Sequence, residues 1–106
     1  MASKLRELVI PPAAIQDPDS SFEIIRVWAA GGQQHVSIQT ELQGGPEDWG
    51  FLLAQLARHM ANAYHIQQRL DRSQALSQIK AGFDKEWQRP SGHVAGHMPW
   101  RRAAAA

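Results

Sequence analysis

Between Phe22 and Thr40 hydrophobic and polar residues alternate with a period of two, interrupted once, at Gly31-Gly32. Period two belongs to a strand, whose successive side chains point to opposite faces. The pattern predicts strands over residues 22–29 and 34–40, joined by a type I′ turn in which both glycines take positive φ. A two-residue loop sets the register. Val27 then falls opposite Val36 and Ile25 opposite Ile38, an almost wholly aliphatic face that is expected to cover a helix. The other face is mixed, with Phe22, Ile24, Arg26 and Trp28 set against Glu41, Gln39, Ser37 and His35. A large apolar side chain left in water forgoes about 1.5–3 kcal/mol. A cover is therefore expected over Phe22, Ile24 and Trp28: the N-terminal segment or the second helix, or else a partner subunit or a ligand.

After Thr40 the period lengthens. Gly45-Pro46-Glu47-Asp48 marks a helix start, with proline at the first helical position and two acids facing the positive end of the helix dipole. Trp49, Leu52, Leu53, Leu56, Met60 and Ala63, extended by Tyr64, recur at spacings of three and four, the stripe of an amphipathic helix packed on a sheet. Asp71 is a candidate N-cap, and Gln74 stands three residues on to return its bond. This predicts a second helix from Arg72 to about Trp87, with Leu76, Ile79, Phe83 and Trp87 as its stripe. Residues 67–70 hold neither glycine nor proline, so one unbroken helix is the alternative, and the cap favours two.

The ends read differently. Pro11-Pro12 and the turn-prone Asp17-Pro18-Asp19-Ser20-Ser21 rule out a single helix over residues 1–21, which form an N-terminal arm. Within it, residues 8–11 either lie along the sheet edge as a third strand, where missing amide donors are tolerated, or stay with the arm. Pro90 ends the regular pattern, and residues 89–106 have the composition of a flexible tail. The expected architecture is one α+β domain over residues 22–88, an antiparallel β-hairpin packed on two α-helices in the order ββαα.

Composition narrows the picture. A chain of 106 residues has limited self-contained burial, and a lone hairpin is a thin sheet, so a homodimer is expected. Formal net charge is +1, which lacks the basic excess of a dedicated nucleic-acid binder. Cysteine is absent, excluding disulfides and thiolate chemistry and fitting a reducing compartment. With no signal-peptide pattern and no apolar run of membrane-spanning length, the reading is a cytoplasmic protein without membrane partners.

Candidate chemistry gathers in two places. Gln55, Arg58, His59 and Asn62 stand at i, i+3, i+4 and i+7 on the first long helix and form one polar ridge. Arg58 suits a carboxylate or phosphate, His59 a proton exchanged near neutral pH, and Asn62 both donates and accepts. The alternative is a solvated helix face, or a ridge that ties the helix to a neighbouring loop. Catalysis would need a nucleophile or paired carboxylates beside His59, and the helix offers neither; Ser37 with His35 lacks a third, orienting group. No catalytic residue and no cofactor are assigned. A metal is not expected either, because Gly96 and Pro99 oppose the helix that would align His93 with His97. The second place is the mixed hairpin face, where Phe22, Ile24, Arg26, Trp28 and His35 form either an assembly interface or, with Arg101 and Arg102, a surface for stacking bases.

The succession Ile25-Arg26-Val27-Trp28, Gly50-Phe51-Leu52-Leu53, Ala57-Arg58-His59-Met60-Ala61-Asn62-Ala63-Tyr64 and Ala81-Gly82-Phe83-Asp84-Lys85-Glu86-Trp87 resembles an uncharacterised family of short proteobacterial proteins, the domain of unknown function 5076. The likeness runs from about Leu8 to Trp87 and leaves out the tail from His93. It implies a bacterial origin and a single domain, and brings no reaction, cofactor or catalytic residue. The leading expectation is a non-enzymatic interaction or accessory module with a protein partner. The alternative is a nucleic-acid-binding module, and the third reading is small anionic ligand binding or an enzyme.

Overall fold

Gly31 and Gly32 take φ values of +60° and +74°, the left-handed region in which a side chain would be strained. The tight turn they make joins strands β1 (Ile25–Ala30) and β2 (Gln33–Ile38) in an antiparallel pair. The register is the expected one, with Ile25 opposite Ile38, Val27 opposite Val36 and Trp28 opposite His35. One further bond, from the Gln39 amide to the Ile24 carbonyl at 2.8 Å, closes the ladder at its open end. The computed structural model describes residues 5–41 and 44–91. Its remaining elements are a five-residue helix α1 (Pro12–Gln16) and two long helices, α2 (Pro46–Gln68) and α3 (Arg72–Gln88). The chain is thus α+β with the hairpin followed by two helices, ββαα, preceded by α1.

The third strand does not form. The sheet has two strands, and Leu8 and Val9 remain 91% and 90% exposed. Pro11-Pro12 instead opens α1: the Pro11 carbonyl accepts from the amides of Ala14 and Ile15 at 3.0 and 3.3 Å. Proline lacks an amide proton, which costs nothing in a first turn whose amides have no intrahelical acceptor.

Helix α2 starts as the sequence indicates, with Gly45 as N-cap, Pro46 in the first turn, and Glu47 and Asp48 beside it. Its end is less conventional. Arg69 adopts φ +56° and its amide donates to the His65 carbonyl at 3.0 Å, a left-handed cap that glycine usually fills. The His65 ring holds the turn, since its Nδ1 lies 2.9 Å from the Leu70 carbonyl and so carries the proton. Asp71 then caps α3 by accepting from the Gln74 amide at 2.9 Å. Arg69→Gly is expected to stabilise the protein by about 0.5–1 kcal/mol, because glycine removes the left-handed strain at some cost in unfolded-state entropy. A thermal scan should show the midpoint rising by about 4–8 °C per kcal/mol. An unchanged or lowered midpoint would mean that the Arg69 side chain holds the turn by itself.

Packing is confined to two pairs of elements, β1 with β2 and α2 with α3. The helices meet at Ala61 and Ala75, 3% and 2% exposed, where small side chains let the backbones approach. These two alanines are the buried hydrophobic residues among those described. The aliphatic hairpin face does not reach its own helices: Val27, Val36 and Ile38 are 50%, 44% and 52% exposed. Leu53, Met60 and Tyr64 on α2 and Phe83 and Trp87 on α3 are exposed as well.

The total accessible surface is 10074 Å², against about 5,900 Å² for a compact monomer of this mass. Suppose the residues outside the described ones carried the full ~3,200 Å² of an extended chain of their mass. The described body would still exceed the ~5,100 Å² of a compact one by roughly 1,800 Å².

Candidate functional site

Helix α2 carries the polar ridge, and its geometry divides the four residues. Asn62 is engaged: its Oδ1 accepts from Arg72 Nε at 2.9 Å, tying the middle of α2 to the first residue of α3. The tie is to the neighbouring helix rather than to a loop, and it leaves Gln55, Arg58 and His59 as the outward group. All three are exposed and make no side-chain hydrogen bond or ion pair among the described residues. Leu53, Met60 and Tyr64, at i, i+7 and i+11, lie on the other side of the same helix, since two residues of separation turn the side chain by about 200°. Helix α2 thus has a cationic, hydrogen-bonding edge and an apolar flank that do not compete for the same contact.

The mixed hairpin face is organised around Arg26. Its guanidinium donates to both carboxylate oxygens of Glu23, Nε to Oε1 at 2.9 Å and Nη2 to Oε2 at 3.2 Å. Its Nη1 meets Glu7 Oε2 at 2.6 Å. The hydrogen bond and charge of Glu23, followed by Glu7, raise the Arg26 pKa above its ordinary value. The Glu7 ion pair brings the N-terminal segment to the edge of this face, while the segment's own Leu8 and Val9 stay exposed. Trp28 and Arg26 are half-buried, whereas Phe22 is 62% exposed. The cation available for a phosphate is matched by two carboxylates, which removes the electrostatic attraction a base-stacking surface relies on. His35 stands across from Trp28, and no hydrogen bond joins it to Ser37, so the pair has no activated hydroxyl.

Elsewhere the described residues offer little enclosure. An open depression of about 420 Å³ lies along the end of α3, lined by Gly82, Lys85, Glu86, Gln88 and Arg89. Its lining is exposed and of mixed charge. Among the described residues no three His, Asp or Glu side chains cluster as metal ligands, and no helix is long and apolar enough to cross a membrane. His93, His97, Arg101 and Arg102 lie outside the described residues. The surfaces that sequence reasoning placed inside the domain are the aliphatic hairpin face and the α2/α3 stripe. The one warning was that two strands make a thin sheet.

Residues 7–91 match the family model described as a domain of unknown function (DUF5076). The chain belongs to the DUF5076 family. The match runs from the glutamate that pairs with Arg26 through the end of α3, so both ion-paired arm and helix pair are family territory. No curated protein matches the DUF5076 chain. Among solved structures it is similar to a protein of the photosynthetic bacterium Rhodopseudomonas palustrus CGA009, described as a "putative pyruvate dehydrogenase", at 25% identity and a TM-score of 0.69. The alignment covers 95% of this chain and 99% of that one.

Proposed function

We propose that the protein is a non-catalytic interaction module that works as a homodimer in a bacterial cytoplasm and presents Gln55, Arg58 and His59 to a protein partner. One observation carries the reading: the described residues hold roughly 1,800 Å² more exposed surface than a compact body, and Val27, Val36, Ile38, Leu53, Met60 and Tyr64 are among the exposed side chains. Obligate homodimers bury roughly 2,000–5,000 Å² in total, about 1,000–2,500 Å² from each copy, so a second copy accounts for such an excess without any other chain. Absence of cysteine supports a reducing compartment.

Similarity to the Rhodopseudomonas palustrus protein does not make this chain a dehydrogenase. Decarboxylating a 2-oxo acid calls for a cofactor held in a pocket that excludes water. The described residues bury two alanines and no polar group, which offers no such enclosure within one chain. An accessory role suits this chain better than catalysis.

The ridge is tested by the paired substitution Arg58→Ala and His59→Ala. Both side chains are exposed, so stability should change by no more than about 0.5 kcal/mol each. Affinity for the partner should fall at least tenfold, the effect of losing about 1.4 kcal/mol at a charged contact. The measurement is recovery of one recurring, mass-identified protein on the immobilised full-length chain, followed by titration. Equal recovery on the variant would sink the ridge as the partner surface.

A further inference from the structure

The hairpin and the helix pair each expose an apolar face of the kind the other lacks, and the two do not meet within the chain. On the hairpin the face is Val27, Val36 and Ile38, all between 44% and 52% exposed. On the helices it comprises Leu53, Met60 and Tyr64 of α2, 45%, 52% and 46% exposed. We infer that the homodimer is reciprocal: the aliphatic hairpin face of each copy packs on the Leu53, Met60 and Tyr64 face of α2 in the other. This deepens the dimer reading above and rests on it.

Three observations select this arrangement. The period-two pattern demands a covered face at Val27 and Val36, and an apolar helix surface is what aliphatic strand faces pack against. The opposite hairpin face already has Arg26 engaged by Glu7 and Glu23, so a second copy seated there would have to displace ion pairs. Finally, the helix face in question lies away from Gln55, Arg58 and His59, so docking the partner's hairpin leaves the ridge open. A two-fold axis satisfies both contacts twice, in the manner of an exchanged element.

Because the chain has no cysteine, single thiols report the contact cleanly. Full-length Val36→Cys is refolded together with a mass-tagged full-length Met60→Cys, and a short bis-maleimide is added. The expected product is a mixed cross-link at dimer mass between hairpin and helix. Two results would overturn the inference: Val36→Cys linking mainly to itself, or a chain carrying both thiols closing at monomer mass. Light scattering on the unsubstituted protein separates the levels. A dimer with either overturning cross-link leaves the dimer reading standing and removes this arrangement, whereas a monomer removes both.

Discussion

Val36→Asp is expected to dissociate the dimer at micromolar concentration and take most of the cooperative fold with it. In the isolated chain Val36 is 44% exposed, and a charge there has water at hand. A substitution of that kind ordinarily moves stability by about 0.5 kcal/mol or less. Against a partner's helix α2 the same carboxylate is desolvated with no cation to pair it, at a cost of about 2–5 kcal/mol. That corresponds to a roughly 30- to 5,000-fold weaker dimer. Folding follows, because the chain alone buries only Ala61 and Ala75 as hydrophobic residues among those described, and native structure that depends on association is lost by mass action. The control is Ser37→Asp, one residue along the same strand and on the opposite face, beside Arg26. It carries the same poor strand propensity and charge. Light scattering and thermal melts over a hundredfold range of concentration should show Val36→Asp monomeric and early-melting, with Ser37→Asp close to the parent. The reverse ranking would place assembly on the face of Phe22, Ile24 and Trp28, as the sequence reading had it.

Such a reversal was open from sequence because amphipathic periodicity says that a face is buried and not which copy of the chain buries it. Local determinants were legible for local reasons. Gly31-Gly32 admits one tight turn, and the turn fixed the pairing of Ile25 with Ile38 and of Val27 with Val36. Pro46, Glu47 and Asp48 marked the start of α2, and Asp71 that of α3. The end of α2 was less legible, because its left-handed residue is arginine and the turn is set by a histidine ring reaching a carbonyl five residues on. Helix α1 was missed since Pro11-Pro12 was weighed as a break, and proline is equally at home in a first turn. At the candidate site, helical spacing gathered Gln55, Arg58, His59 and Asn62. It could not show that Asn62 would be drawn off by Arg72, ten residues away on the next helix. Nor does spacing reveal that Glu7 would return to Arg26 and neutralise the cation on which a nucleic-acid surface depended.

Ala61→Leu tests the remaining contact, the crossing of α2 and α3, and should be among the most destabilising substitutions the chain can take. Ala61 and Ala75 are 3% and 2% exposed, so the space between the helices is already filled by methyl groups. Leucine adds three carbons there and must push the helices apart or leave its rotamer well, at a cost of about 1–3 kcal/mol. Helix propensity contributes little, since leucine is nearly as good a helix former as alanine. The loss would therefore be steric, and Ala61→Gly provides the comparison. Glycine keeps the close approach and costs about 1 kcal/mol through propensity alone. Urea unfolding of the full-length protein, at one concentration high enough to hold the dimer, should rank the midpoints parent, then Ala61→Gly, then Ala61→Leu. Against a total stability of about 5–15 kcal/mol the leucine penalty is a substantial share. The separated helices would also displace Arg72 from Asn62, adding the loss of a hydrogen bond worth about 0.5–1.5 kcal/mol. If leucine is tolerated as well as glycine, the helices are held apart by more than the two alanines, and the closest approach of α2 and α3 lies elsewhere along them.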